Sequence, residues 1–219
     1  MKLSVFGATG QTGQFLVQQA LEKGHEVTAL VRNVTKLTIQ HQNLKVVEAN
    51  IFSADQLSQH FLGQDAIISC LGFPYRVFGT VSGYTDSMKA ITAGARQSKV
   101  KRIIVMTSWY TAPESGQNAS ALVRFLLLPL IRSVLTNMHE MENYLKEECS
   151  DLSWTVVRPP GLQNAPATDK EFLTHEGYFV PQQSVPDTKS VARGDVACFM
   201  LSLIDKDEWL QRGVAMCTV

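Results

Sequence analysis

A glycine-rich segment between an apolar strand pattern and a helical pattern is the feature that most constrains how this chain can fold. Residues 2–6 form a predicted strand, Gly7, Gly10 and Gly13 follow at three-residue spacing, and a helical pattern begins at Gln14. Such glycines let the chain turn off the strand, clear space for a pyrophosphate and bring the helix close to the sheet. The context therefore predicts a dinucleotide-binding turn.

Further ligands for the phosphates are expected within the same segment. The first amides of a helix and its dipole attract anions, so they would face the phosphate groups. Three side chains can add hydrogen bonds: Thr9, Gln11 and Thr12. The three glycines are spaced Gly-x-x-Gly-x-x-Gly. The alternative to a dinucleotide-binding turn is one that only joins a strand to a helix.

Apolar strand patterns alternate with amphipathic helical patterns along the whole chain. Predicted strands cover 2–6, 26–31, 44–48, 66–70, 102–107, 154–158 and 214–218. Predicted helices cover 14–23, 53–61, 82–97, 119–149 with a bend near Pro129, and 191–204. This alternation predicts an α/β fold with a doubly wound parallel sheet, a single Rossmann domain over residues 1–219.

Composition excludes several classes of protein. The 219 residues carry 20 basic and 20 acidic side chains, so we expect no nucleic-acid partner. The four cysteines and five histidines show no metal-ligand spacing, so no metal site is expected. We expect a cytoplasmic protein without a signal peptide. We also expect no membrane partner, because the apolar run at 121–132 is too short and too often interrupted to span a bilayer.

The end of the second strand indicates which dinucleotide binds. An acidic residue there selects NAD, whereas an arginine accommodates the 2′-phosphate of NADP. Arg32 follows this strand, Lys36 comes shortly after it, and no carboxylate lies near that end in sequence. NADP(H) is therefore the predicted cofactor, and the alternative is that Arg32 is a solvated strand-end charge.

The ends of later strands should complete the site. Asn50 can hold the adenine edge while Ile51 covers its face, and Leu71 and Gly72 offer a close backbone approach. Ser108 ends the fifth strand, where it would bond the nicotinamide carboxamide or a substrate oxygen, although serine is also common at strand ends. The Tyr-x-x-x-Lys pair of short-chain dehydrogenases is missing, because position 121 is alanine and no tyrosine has lysine four residues later.

Together these motifs resemble the atypical short-chain dehydrogenase superfamily. The motifs are the glycine turn, Leu30-Val31-Arg32, Leu71-Gly72, Met106-Thr107-Ser108, Val157-Arg158-Pro159-Pro160-Gly161 and Arg193-Gly194-Asp195-Val196-Ala197. Within the superfamily the chain is similar to the biliverdin reductase B group, the NADPH-dependent flavin reductases, and to the NAD(P)H-binding, NmrA-like group. The resemblance implies that Leu71, Gly72 and Ser108, with the loop of Pro159, Pro160 and Gly161, frame the nicotinamide, and Thr107 is also expected to bind the cofactor. Gly161 stands where that reductase has a histidine, which puts tetrapyrrole reduction in doubt.

The resemblance implies an NADPH-dependent reductase. Its expected partner is a small planar conjugated acceptor, a flavin or tetrapyrrole, and a monomer or weak dimer is expected. The mechanism would depend on proximity and orientation, with Ser108 as the catalytic candidate. The alternative is a non-catalytic NADP(H)-binding protein that senses redox state, as NmrA-like proteins do.

Overall fold

The structure is a computed structural model that describes residues 1–74, 79–181 and 190–219. The strands are β1 (Lys2–Phe6), β2 (Glu26–Val31), β3 (Leu44–Glu48), β4 (Ala66–Ser69), β5 (Arg102–Met106), β6 (Ser153–Arg158), β7 (Gly161–Gln163), β8 (Phe172–His175), β9 (Ser190–Ala192) and β10 (Arg212–Thr218). The helices are α1 (Gln11–Glu22), α2 (Ala54–Phe61), α3 (Gly83–Ser98), α4 (Leu128–Glu148) and α5 (Arg193–Ser202).

Eight strands form one sheet in the order β3-β2-β1-β4-β5-β6-β10-β8. Seven are parallel to one another, and β8 pairs antiparallel with β10 at the edge. The predicted doubly wound parallel sheet is confirmed, with an antiparallel edge strand that was not predicted. Because the order reverses between β1 and β4, the carboxyl end of β1 lies at the switch point where such sheets bind ligands.

Helices cover both faces of the sheet. Helices α1 and α5 pack together on one face, where Leu16 and Met200 are fully buried. Helices α2, α3 and α4 cover the other face, with Leu57, Ile91 and Leu145 in its core. The strands are buried from both sides, which explains their nearly continuous apolar sequences.

Two predicted helix boundaries are wrong. Helix α1 begins at Gln11 rather than Gln14, so its first turn lies inside the glycine segment. The stretch 191–204 is not one helix, because its first two residues belong to β9 and α5 begins only at Arg193. The β-branched Val191 is paired with Leu162 of β7 and buried, and this long-range pairing outweighs the helical pattern.

The predicted helical region 119–149 is divided near the expected bend. A π-helix spans Val123–Leu127, and α4 follows with Pro129 in its first turn. Proline lacks the backbone amide that would continue the hydrogen bonding of the preceding turn, which agrees with a change of helix type at this point. Among the described residues, no helix has both the length and the apolar character needed to cross a membrane.

Candidate functional site

The glycine turn is held by close backbone contacts that exclude larger residues. Gly7 has φ +71°, a left-handed conformation, and its carbonyl accepts a hydrogen bond of 2.8 Å from the amide of Gly10. A Cβ at Gly7 would overlap the carbonyl of Cys70, and a Cβ at Gly13 would overlap the carbonyl of Gly7. The turn is therefore pressed against both the neighbouring strand end and its own helix.

The first turn of α1 provides donors for an anion. Its first internal hydrogen bond runs from the amide of Gln14 to the carbonyl of Gly10, at 2.9 Å. Helix geometry leaves the preceding amides, those of Gln11, Thr12 and Gly13, without partners inside the helix. The first turn carries no acidic side chain, so nothing in it repels phosphate.

One cavity of about 740 Å³ follows the carboxyl ends of the central strands. Its volume falls within the range of about 300–1,000 Å³ usual for small-molecule sites. Most of the predicted site residues line it: Gly7, Thr9, Gly10, Gln11, Thr12, Arg32, Ile51, Leu71, Gly72, Thr107, Ser108, Pro159, Pro160 and Gly161. Residues spread over 150 positions of sequence therefore meet on one surface, as parallel strand ends require.

The structure does not bring three predicted residues to the lining of this cavity. Gly13 lies behind the turn, where its role is close packing. Lys36 ends a short 3₁₀ helix, Val34–Lys36, which is capped by the Asn33 side chain. Asn50 lines a separate neighbouring depression, and its Oδ1 already accepts the amide of Phe52 at 3.0 Å. Cofactor contacts from Lys36 and Asn50 stay predictions.

Arg32 lies where the main cavity meets that neighbouring depression. Its guanidinium has no ion-pair or hydrogen-bond partner within the described ranges, so it is free to bind an anion. The expectation that no carboxylate lies near the end of β2 is wrong, because the folded chain brings one there from another strand. Glu48 ends β3 in register with Val31 and lines the same depression as Arg32. The parallel pairing brings it there, and no reading of β2 alone could have found it.

The Ser108 hydroxyl lines the cavity after β5 and has no hydrogen-bond partner in the part of the chain that the structure describes. Its neighbour Thr107 is different, since its hydroxyl donates to Oε1 of Glu142 at 2.8 Å in the interior. Only the backbone of Thr107 therefore faces the predicted cofactor.

A buried ion pair supports this strand end from behind. Glu142 of α4 is bonded to Nη2 of Arg158 at 2.8 Å, and both side chains are under 10% exposed. The same carboxylate accepts the hydroxyls of Thr107 and Thr111. Glu142 thus joins α4, the end of β5 and the end of β6, which together position Ser108. The one signal for this network in the sequence is Arg158, a charged residue that ends an apolar strand.

The wall opposite Ser108 is apolar and comes largely from α4. Four of its side chains line the cavity: Ile131, Val134, Leu135 and Met138. Their spacing of three, one and three residues places them on one helical face. That periodicity could have identified the wall, but only the tertiary structure shows that it faces the site rather than a core.

Phe73 and Tyr84 extend this apolar wall. Their rings meet edge to face with centroids 4.8 Å apart, and the amide of Phe73 donates to the Tyr84 hydroxyl at 3.1 Å. Neither Phe73 nor Tyr84 is among the site residues that the sequence predicts. Burial raises the pKa of the Tyr84 phenol, so it stays neutral at physiological pH.

A long-range cap fixes the start of α3, which carries Tyr84. Oδ1 of Asn137, on α4, accepts the amide of Tyr84 at 2.9 Å, and Nδ2 of Asn137 donates to the Thr85 hydroxyl. Ser82, which directly precedes α3, makes no side-chain cap bond. Helix α4 therefore both lines the cavity and positions the helix that carries its aromatic wall.

A family comparison covers nearly the whole chain. Residues 7–207 match the model of an NAD(P)H-binding family. The chain is 31% identical over 190 residues to an uncharacterised chloroplastic protein of Arabidopsis thaliana, covering 80% of this chain and 64% of that protein. It is 27% identical over 106 residues to the uncharacterised protein YwnB of Bacillus subtilis, covering 48% of this chain and 46% of that protein. The aligned parts thus span less than two thirds of both relatives.

Solved structures share the fold. The oxidoreductase YlbE of Lactococcus lactis matches all of this chain and 91% of its own, with a TM-score of 0.80 and 23% identity. A short-chain dehydrogenase/reductase of Veillonella parvula in complex with NADP matches 99% of this chain and 94% of its own, with a TM-score of 0.75 and 18% identity. At such identities the likeness concerns the fold alone. The family match, which runs from the glycine turn past α5, carries the conclusion: this chain belongs to the NAD(P)H-binding family.

Proposed function

We propose that this protein is an NADPH-dependent reductase of a planar conjugated acceptor, with a flavin as the preferred class. One observation carries the proposal: the glycine turn, the free Ser108 hydroxyl and an apolar helix face line the same cavity. When bound, NADPH supplies a hydride to an acceptor stacked on it. The protein supplies binding, orientation and exclusion of water.

The residues present fit the cofactor. The cradle between Gly7, Gly10 and the neighbouring strand end has no room for a Cβ at Gly7, so backbone atoms can approach a pyrophosphate closely. Amides of the first α1 turn would hold its oxygens. Arg32, free of other partners, would bind the 2′-phosphate that distinguishes NADPH from NADH.

The acceptor end fits a flat apolar ring system. Leu135 and Met138 offer an aliphatic surface, and Phe73 adds an aromatic edge. Ser108 would donate a hydrogen bond to a carboxamide or acceptor oxygen, and the bond from Thr107 to Glu142 holds the strand end beside it. A flavin suits such a site because its reduced form can take a proton from solvent, so no Tyr-x-x-x-Lys pair is required.

Comparison with a fold neighbour agrees with this acceptor class. A candidate NADH–flavin reductase of Streptococcus pneumoniae matches the full length of both chains with a TM-score of 0.72 and 19% identity. Biliverdin is the weaker candidate acceptor, because Gly161 lacks the polar side chain of the reductase that the sequence resembles. A cytoplasmic location remains part of the proposal.

The alternative function is a non-catalytic NADP(H)-dependent redox sensor. Among the described residues that line the cavity, the titratable side chains are Arg32, Cys70, Tyr84 and Arg193. Burial raises the pKa of Cys70 to about 12, so it is a neutral thiol at physiological pH. This scarcity of proton donors near the acceptor end is what favours the sensor.

Turnover decides between the two functions. NADPH oxidation by the purified protein should proceed with FMN, and Ser108→Ala should lower kcat about tenfold through loss of one hydrogen bond, with NADPH affinity retained. Ser98→Ala, at the C-terminal end of α3 and outside the cavity lining, is the matched control and should leave kcat unchanged. Tight NADPH binding with no turnover on FMN, riboflavin, a quinone or biliverdin would overturn the reductase and support the sensor.

Cofactor selectivity is tested separately by binding. Arg32→Asp should weaken NADPH by about 10- to 100-fold, because a charge-assisted bond to phosphate is lost, and should affect NADH much less. Lys206→Asp makes the same change of charge at an exposed lysine away from the cavity lining and should leave both affinities unchanged. Equal losses of NADPH and NADH in Arg32→Asp would refute the assignment to the 2′-phosphate.

A further inference from the structure

A dense apolar patch is exposed just before the cavity-lining face of α4. We define the 122–130 patch by Leu122, Phe125, Leu126, Leu127 and Leu130, whose exposures range from 45% to 73%. Half of the exposed large apolar side chains among the described residues lie in these nine positions. Such clustering marks an interaction surface, whereas exposed apolar side chains scattered singly are ordinary.

The charge around the patch is of one sign. Arg124 lies inside it and Arg132 two residues beyond it, and no acidic residue occurs between Glu114 and Glu140. Both arginines are exposed, and neither has an ion-pair partner within the described ranges. The Arg124 guanidinium lies 5.3 Å from the centre of the Phe125 ring. A local charge of +2 thus accompanies the patch in a chain whose net charge is zero.

We propose that the 122–130 patch docks this protein on the surface of an anionic lipid bilayer. Leucine and phenylalanine side chains enter the boundary between headgroups and acyl chains, while the arginines bind lipid phosphates. The patch is far shorter than the about 20 apolar residues of a membrane span, so the segment would lie in the plane of the interface. The sequence predicted no membrane partner, because it could not show that these side chains are exposed.

Charge complementarity favours this occupant over a second copy of the chain. A two-fold dimer through the patch would use the same surface on both subunits. Arg124 and Arg132 of the two copies would then approach one another without an acidic residue in the segment to compensate. Like charges brought together at an interface oppose association, whereas an anionic surface attracts both arginines.

Flotation with lipid vesicles tests the proposal without any requirement for turnover. The protein should float with vesicles of phosphatidylglycerol and phosphatidylcholine, and much less with pure phosphatidylcholine vesicles. Arg124→Gln with Arg132→Gln should lower partitioning about 25-fold, since each cation near such a surface contributes about fivefold. The double variant Lys45→Gln with Lys206→Gln makes the same change of charge elsewhere and should partition like the original protein.

The apolar contribution to vesicle binding is tested by a second matched pair of variants, at two exposed leucines. Leu126→Ser should lower partitioning at least tenfold, whereas Leu62→Ser, at a similarly exposed leucine that follows α2 and lies outside the patch, should not. Retained NADPH binding shows that each variant is folded. Absence of flotation with anionic vesicles would overturn the proposal. A dimer in sedimentation analysis that Leu126→Ser dissociates, without vesicle binding, would assign the patch to a second copy instead.

Discussion

The two ends of the cavity are built in different ways. The cofactor end is made by one short segment, the turn from Gly7 to Gly13, whose backbone forms the cradle. The acceptor end is assembled from Phe73, Tyr84 and a face of α4, which are far apart in sequence. Backbone recognition by a contiguous turn leaves a sequence signature, whereas an assembled side-chain wall leaves almost none.

The supports of the two ends differ as well. The glycine turn depends on the absence of side chains, because any Cβ at Gly7 or Gly13 would overlap backbone atoms. The acceptor end depends on side chains that join elements, above all Glu142 with Arg158 and Asn137 with the start of α3. Close packing holds one end, and buried polar networks hold the other.

Breaking the buried network should have the largest effect on stability. Glu142→Ala leaves Arg158 buried without its carboxylate and should lower the free energy of unfolding by about 3–5 kcal/mol. Asp151→Ala breaks a pair of similar length with Arg96, in which the two side chains are 35% and 45% exposed, and should cost less than about 1 kcal/mol. Denaturant titration measures both variants. Equal losses would show that the acceptor end does not depend on the buried pair.

The contrast between the two ends is sharpest at two glycines. Gly13→Ala forces a Cβ against the Gly7 carbonyl and should lower the free energy of unfolding by about 1–3 kcal/mol, with a loss of NADPH affinity. At Gly161 the one contact that a Cβ would make with the described residues is with the Ser190 side chain, at 3.7 Å, so Gly161→Ala should change stability by less than about 0.5 kcal/mol. Thermal unfolding and NADPH titration test both variants. If Gly161→Ala lowered the free energy of unfolding as much as Gly13→Ala does, the two ends of the cavity would not differ in this respect.

The smallest effect is expected beside Arg32. Glu48→Gln removes a carboxylate that lines the same depression, so it should tighten NADPH about two- to fivefold without affecting NADH. Glu147→Gln, an exposed residue near the end of α4, is the matched control for the change in net charge. Isothermal titration of both cofactors measures the difference. Weaker NADPH binding in Glu48→Gln would show that the carboxylate holds the cofactor rather than repelling its phosphate.

Local patterns predicted most of the fold. The bounds of β1, β2 and β3 agree with the observed ones. For β1 and β2 the reason is that buried parallel strands are largely apolar runs bounded by polar residues, whereas β3 is a half-exposed edge strand. Errors occur where distant residues decide the local structure, as where β7 draws Val191 into a strand. The start of α1 was placed three residues late, because glycines read as helix breakers although the sheet stabilises the turn that contains them.

The candidate site was predicted at one end and largely missed at the other. The places of Arg32 and Ser108 in the cavity lining could be anticipated, because strand ends in such sheets point to a common edge. Phe73 and Tyr84 were not predicted as site residues, because the sequence does not show which cavity an aromatic side chain on a loop or helix faces. Lys36 is close to Arg32 in sequence, yet the short helix that contains it does not bring it to the cavity lining.

The sequence by itself determined the doubly wound sheet, the glycine turn and the class of cofactor. These properties depend on contiguous patterns, the steric demands of glycine and the geometry of parallel strands. Only the tertiary structure decided which side chains form the apolar wall of the cavity, which carboxylate lies near Arg32 and which apolar residues stay exposed at 122–130. Such facts depend on how helices pack on the sheet, and the hydrophobicity of a residue does not specify which surface will cover it.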